Sequence, residues 1–590
     1  MSTFRRLLGF LRPYRRTVIA SLVFAWLAMG MTVAIPWLVG QAVNAIEPPS
    51  DKSAILPLAL AIVGAGILRL GLTVIRRLIA GKVSVAVEFD LRERLYRHLQ
   101  TLELGFFDGQ QTGQLMSRAT VDLQSIRFFL GYGLIFLTQN ALTISLASVV
   151  MFAIKPWLAA LALAPVPFVV LSAARFNRQS RPAVQEIQQR LAELTAEVEE
   201  SISGIRIVKA FARERHMLGR FRRSVVRVFD QNIYSTRLQA FYSPMLGFLP
   251  SLGLAAVLLV GGRAVINGGL SLGDFTAFYT YLIMLTVPMR MLGMSLGMAQ
   301  RAVASGNRLF EILDREPRIE IGEGAPALPD GPGRVELRHV SLAYNGGAPA
   351  LEEVDLAIEP GRTVALVGPT GSGKTSLVAL LARLYDPSRG EVLIDGADLR
   401  SVDVRSLRSQ VAFVADDSFL FSASVAENIA YARPDASREQ IELAARRAQA
   451  HGFIERLPDG YETLVGERGL TLSGGQRQRV AIARALLADP RILILDDATS
   501  SVDARTEAAI KTGLREAMVG RTTFIVAHRM STISLANEVV VLNEGRVVDR
   551  GTHEALLERC PLYAEIAEHG LEDSVFLQRD LERREEVARL

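Results

Sequence analysis

Three short stretches combine residue types that handle phosphate. Residues 363–384, TVALVGPTGSGKTSLVALLARL, hold Gly368, Gly373, Lys374 and Thr375 in the spacing G-x-x-x-x-G-K-[ST], between an apolar run and a helical pattern. Glycines let backbone N–H groups close around phosphate oxygens, and the helix start adds its positive dipole end. Lys374 reaches the outer phosphates and Thr375 can ligate magnesium. Gly368, Pro369, Thr370, Gly371, Ser372, Gly373, Lys374, Thr375 and Ser376 are therefore expected to bind ATP. In residues 470–497, LTLSGGQRQRVAIARALLADPRILILDD, the group Leu472, Ser473, Gly474, Gly475 and Gln476 precedes a helical pattern and makes a second backbone anion trap. The same stretch ends in four apolar residues and Asp496, as a buried strand does when it delivers a carboxylate to magnesium.

One triphosphate does not need two traps in one chain. The third stretch, ILILDDATSSVD, raises a further question, because Asp497 follows Asp496 where a phosphate-hydrolysing site usually has a glutamate long enough to touch the attacking water. Aspartate is shorter by one methylene, about 1.25 Å of reach on ordinary geometry. A general base works over heavy-atom distances of about 2.6 to 3.2 Å, so this position is expected to bind well and hydrolyse slowly.

The elements that position these residues follow from the rest of the chain. At 590 residues it exceeds one hydrophobic core. A mean hydropathy of +0.24 with 49% hydrophobic residues points to a membrane-embedded portion. Net charge of +5 gives no case for nucleic acid. The single cysteine, Cys560, excludes an internal disulfide framework. A bilayer core about 30 Å thick takes about 20 apolar residues per helix. Six stretches meet or approach that length, near Thr17 to Ile46, Ala54 to Ala80, Phe129 to Ile154, Pro156 to Phe176, Leu246 to Ile266 and Phe275 to Ala299. Five arginines precede the first, and the loop EPPSDKS after it is weakly acidic. This pattern predicts cytosolic amino and carboxy termini.

Short loops alternate with long charged connections, residues 81–128 and 177–245, which are expected to extend the spans as helical rods into the cytosol. They turn at LGFFDGQQTG, around Phe106, Phe107, Asp108, Gly109 and Gly113, and near Gly204. The expected division is a six-helix transmembrane domain over 1–305, a glycine- and proline-rich linker over 306–333, an α/β ATPase domain over 334–568 and a charged helical tail over 569–590.

With the LSGGQ stretch beside a phosphate loop, the carboxy-terminal half resembles the ATPase domain of the ATP-binding cassette (ABC) family, in which a head-to-tail dimer clamps ATP between one phosphate loop and the partner's signature. That resemblance implies roles residue by residue. Tyr344 in SLAYNG is similar to the aromatic that stacks on adenine, its ring doing the work. Asp503 in SSVD is similar to the loop that communicates across the dimer. His528 in FIVAHRM resembles the switch histidine at the γ-phosphate, and Gly466 to Gly469 the loop that senses the membrane domain. Thr375, Asp416 and Asp496 correspond to the magnesium ligands, with Asp416 standing where the family has glutamine. Asp497 corresponds to the base, and Leu472 to Gln476 serve the partner's ATP.

The whole chain resembles a type IV exporter half-transporter, and the two turning points resemble its coupling helices. Asp497 and Asp416 beside an intact signature are what the slow-site subunit of a heterodimer looks like. A heterodimer with a second half-transporter is thus expected ahead of a homodimer. The implied cofactors are ATP and Mg2+, and the expected activity is ATPase-driven export of amphipathic, hydrophobic or lipid-like compounds across the cell membrane. Two alternatives stand beside it, a homodimeric exporter and an ATP-binding regulatory or channel-type subunit. Arg69 and Arg290 fall within or near the spans, and Met284, Met289, Met291, Met294 and Met298 line one stretch of the last. No motif names a ligand.

Overall fold

The computed structural model describes residues 2–47, 52–319, 324–344, 346–416, 418–466, 469, 471–496, 504–527 and 529–570. The chain forms two compact units. One runs to Leu99 and resumes over Gly113–Arg315; the other comprises Gln100–Thr112 and the chain from Glu316 onward.

The first unit is helical. After a short α1 (Thr3–Gly9), the long helices are α2 (Arg15–Ile46), α3 (Lys52–Leu99), α5 (Thr112–Ile154), α6 (Pro156–Ser203), α8 (Glu214–Ile266) and α9 (Leu272–Leu313). The short α4 (Leu104–Asp108) and α7 (Ile205–Ala210) stand at the two expected turning points. Among the described residues five helices are long and apolar enough to cross a membrane, and α9 covers the sixth expected span. The helices overrun the apolar stretches because the charged connections continue the same helical hydrogen-bond ladder. α9 itself runs on to Leu313, beyond residue 305.

Small residues and paired charges hold this unit together at different depths. Where α2 meets α9, a Cβ on Gly273 would lie 1.9 Å from the Gly40 carbonyl oxygen, and the Gly273 N–H donates to Asn44 Oδ1 at 2.7 Å. Backbones in lipid gain by such close approach, since apolar side chains on their own do not drive helices together there. Gly273→Ala is therefore expected to cost about 1 to 3 kcal/mol by overpacking, read as a lower melting temperature in detergent. Gly262→Ala, where nothing lies within 4 Å of the added Cβ, should leave it unchanged. In the charged rods, buried Glu88 accepts from Arg92 at 2.7 Å and from Arg127 at 2.8 Å. Buried Asp122 accepts from Ser305 and Arg308 at 2.8 and 2.9 Å. Burial raises the Asp122 carboxyl, but these hydrogen bonds and the arginine charge outweigh it and hold the group below the usual carboxylate range.

Among its described residues the second unit has two sheets. Strands β1 (Val335–Ala343), β2 (Pro349–Ile358), β4 (Arg389–Ile394) and β5 (Ala397–Asp398) pair antiparallel in the order β2-β1-β4-β5. The larger sheet has the order β10-β9-β3-β8-β7-β6, from β3 (Thr363–Val367), β6 (Val411–Val414), β7 (Ile492–Asp496), β8 (Thr522–Val526), β9 (Glu538–Asn543) and β10 (Arg546–Gly551). Its inner strands pair parallel. Every residue of β3 and β8 is buried, as a sheet covered on both faces requires. Cys560 is a buried free thiol in an apolar cluster of this unit.

Candidate nucleotide site

The phosphate loop leaves the carboxyl end of β3 and enters α10 (Lys374–Leu381). Two of its glycines are fixed by backbone geometry. Gly373 has φ +100°, and a Cβ there would lie 2.6 Å from the Ala350 carbonyl oxygen; a Cβ on Gly368 would lie 2.1 Å from that of Leu542. Any side chain at either point would push the loop off its strand. Lys374 is buried, and its Nζ donates to the carbonyl oxygens of Gly368 and Pro369 at 2.8 and 2.9 Å, so the ammonium spans the loop. Ser372 Oγ is buried without a hydrogen-bond partner. Thr375 is exposed at the start of α10. A concave ring of N–H groups, a spanning cation and an orphan hydroxyl suits a polyphosphate.

Asp496 is the last residue of β7 and sits in register with Val526 of β8, half-buried at the carboxyl end of the sheet. Asp416 follows β6 by two residues and is exposed. Among the described residues no group of three or more His, Cys, Asp or Glu could hold a metal alone. Thr375, Asp416 and Asp496 are a sparse set of hard oxygen donors. This fits magnesium, which keeps several waters and takes further ligands from substrate phosphates. Asp497, Asp503 and His528 lie outside the described residues, as do two positions between Gly466 and Gly469.

Leu472 is buried and anchors the second glycine stretch, while Ser473 is the N-cap of α11 (Gly474–Ala488). Its Oγ accepts from the Gln476 N–H at 3.3 Å, and Gln476 Oε1 accepts from the Ser473 N–H at 2.8 Å. This reciprocal capping box uses both polar side chains of the motif to hold the first turn open. Gly474, half-buried and without a side chain, leaves the backbone at the helix start open to an anion, while Gly475 is buried behind it.

Comparison with known proteins agrees with both halves of this architecture. The ABC transporter transmembrane region family matches residues 18–289, and the ABC transporter family matches residues 351–500. The ATP-dependent lipid A-core flippase of Syntrophus aciditrophicus is 38% identical, over 95% of this chain and 93% of its own length. The chain belongs to the ABC transporter family. The fatty acid ABC transporter ATP-binding/permease protein of Mycobacterium tuberculosis is 39% identical over 92% of this chain and 84% of its own length. The structure of a bacterial Atm1-family ABC exporter with ATP bound superposes with a TM-score of 0.79 at 30% identity, covering 95% of this chain and 99% of that one. This ABC transporter is an exporter half of type IV architecture, with an ATPase domain whose hydrolysis is coupled to transport.

In this ABC transporter the aromatic expected at the adenine carries a second attachment. The Tyr344 hydroxyl donates to Ser376 Oγ on α10 at 2.9 Å, so the hydroxyl has a role that the sequence reading did not give it. Its ring meets Tyr385 edge-on, centroids 5.0 Å apart, and the Tyr385 hydroxyl donates to Asp108 at the end of α4. Burial and that bond push the Tyr385 phenol above its ordinary value. A cavity of about 500 Å³ beside the two rings is lined by residues of both segments of this unit, among them Asp108, Ala343, Tyr385 and Ser388. Replacing Tyr344 by alanine is expected to weaken ATP binding by about 1 kcal/mol, the scale of an aromatic contact. Phenylalanine keeps the ring and loses only the Ser376 bond, so it should weaken binding by less than alanine does. Titration with a fluorescent ATP analogue checks the order.

Proposed function

We propose that this chain is one half of a heterodimeric exporter of amphipathic or lipid-like compounds. In this reading its own site binds MgATP through Gly368–Ser376, Tyr344, Thr375, Asp416 and Asp496 and turns over slowly, while its signature completes a faster site on a second half-transporter. The observation that carries the proposal is the contrast within one chain. The LSGGQ motif is intact and pre-formed by its capping box, whereas Asp497 is one methylene short and Asp416 adds charge beside the triphosphate. The names of two relatives, a lipid A-core flippase and a fatty acid transporter, support an amphiphilic cargo. Five arginines before Thr17 and a weakly acidic loop after α2 support cytosolic termini and placement in the cytoplasmic membrane.

ATP-dependent accumulation of a fluorescent lipid in inverted vesicles carrying this chain with its co-purifying partner tests the transport reading. Accumulation that persists without ATP, or in vesicles lacking the chain, would remove it.

A further inference from the structure

A cavity of about 290 Å³ lies in the membrane unit between α5 and α9. Helix register sets its position. Buried Asp122 on α5 accepts from Ser305 and Arg308 on α9, which ties the two antiparallel helices together. One turn nearer the apolar stretches, Ser125 and Arg301 line the cavity, and Phe128 and Met298 line it a turn further on. The expected spans begin at Phe129 on α5 and end at Ala299 on α9. The cavity therefore lies where those two spans meet the charged rods, at the cytosolic edge of the bilayer in the proposed orientation.

The charge in its lining is all of one sign. Arg127 and Arg301 contribute two guanidinium groups and Gln124 an amide, and no acidic residue lines the cavity. Arg127 shares Glu88 with Arg92, one carboxylate for two cations. Arg301 is exposed, and among the described residues its guanidinium has no hydrogen-bond or ion-pair partner. The sequence offers it none nearby: α9 carries no acid from Phe275 to Phe310, and Asp122, the single acid of α5, is already engaged by Ser305 and Arg308.

Size and apolar lining narrow the ligand. Small-molecule pockets start at about 300 Å³, so this one takes a head group and the first methylenes of a chain, and not a whole lipid. Phe128 is 45% exposed, and its ring lies 5.8 Å from that of Tyr132, one turn further along α5 within the span. An aromatic edge thus leads from the two arginines toward the bilayer. Basic pockets between membrane helices on the cytoplasmic side are suited to anionic head groups.

We propose that the cavity between α5 and α9, with Arg301 as its principal cation and Arg127 and Gln124 beside it, seats the carboxylate or phosphate head of an amphiphile at the cytosolic edge of the membrane. This rests on the reading of the cargo as amphiphilic and narrows it to anionic compounds. The Arg301 guanidinium offers two parallel donors to either head group, and a neutral alcohol of the same chain length supplies no charge to match it.

The test is equilibrium retention of radiolabelled ligands by the full chain in phosphatidylcholine nanodiscs, corrected for empty nanodiscs. The probes are dodecanoate, dodecyl phosphate and dodecanol, with acetate and inorganic phosphate as competitors. Dodecanoate and dodecyl phosphate should bind at least about tenfold more tightly than dodecanol, the scale of a charge-assisted bond. Arg301→Gln should erase most of that gap and Arg301→Lys should keep part of it. Arg16→Gln, which removes another exposed arginine at the start of a span, should leave the gap unchanged. Acid and alcohol binding equally well to the wild-type chain, or a gap unchanged in Arg301→Gln, would overturn the seat while leaving amphiphile export standing. A gap lost equally in Arg16→Gln would show general attraction to a basic surface and overturn it too. Efficient competition by acetate or inorganic phosphate would show a free-anion site and overturn the amphiphile assignment. Retention of none of the three probes would overturn the seat, and only failed lipid accumulation in the inverted vesicles would remove the export reading with it.

Discussion

Lys374→Ala is expected to abolish measurable transport and to weaken ATP binding by tenfold to a hundredfold, about 1.5 to 3 kcal/mol for a charged hydrogen-bonding group. In the structure the ammonium bridges two loop carbonyls, Gly368 and Pro369, at the mouth of the phosphate cradle. Removing it takes away the charge facing the outer phosphates and leaves the loop's glycine geometry intact. The loss should therefore be larger for ATP than for AMP, which lacks the outer phosphates that Lys374 is expected to hold. Isothermal titration of both nucleotides against the purified variant checks this. Equal losses for the two would move Lys374 from phosphate recognition to loop scaffolding.

Ser473→Arg is expected to remove most steady-state ATPase of the assembled exporter, whereas Asp497→Asn should change it little. The proposed heterodimer predicts this inversion, because Ser473 serves the partner's nucleotide and Asp497 belongs to a site that seldom fires. In the chain itself Ser473 caps α11. Substitution with Ala would cost about 1 kcal/mol of helix stability by loss of the cap. Arginine additionally fills the space before Gly474 with a long side chain where an anion should approach. If a well-placed base contributes about a hundredfold to ten-thousandfold, Asp497→Glu should raise the rate of this chain's own site, with Asp416 setting the limit. Should the chain alone form a homodimer with brisk ATPase that Asp497→Asn eliminates, Asp497 is a working base. The description then becomes a self-sufficient homodimeric exporter.

Local chemistry was legible in the sequence and tertiary burial was not. The phosphate loop is contiguous, and its spacing alone places Gly368, Gly373 and Lys374 on a strand-to-helix turn, where the structure has them. Ser473 to Gln476 is likewise a local capping pattern followed by a helix. Hydropathy locates the spans, but it reports lipid-compatible composition and not helix length, which is why α3 and α6 continue far past their apolar stretches. Tyr344 was found through its motif, while the Ser376 bond to its hydroxyl crosses from the residue after β1 to α10 and has no sequence signal. Tyr385 and Asp108 are 277 residues apart in sequence and meet only in the fold. Arg69 and Arg290 drew attention by position, yet Arg69 is exposed and the side chain of Arg290 lies outside the described residues. Arg76, beside Arg77 in an ordinary-looking RR pair, is the one that the packing buries.

The short segment Gln100–Thr112 belongs to the ATPase unit although the rest of that unit begins at Glu316. The ribosome therefore makes one part of this unit early and must finish all of Gly113–Arg315 before its binding surface exists. Until then α4 lacks the Tyr385 side chain that packs beside Gly105 and donates to Asp108 in the finished unit. Contacts this distant in sequence are slow to form and leave apolar surface open to aggregation meanwhile. An ATPase fragment started at Glu316 would likewise lack α4 beside Tyr385. Its stability on the bench would understate that of the same domain in the intact chain.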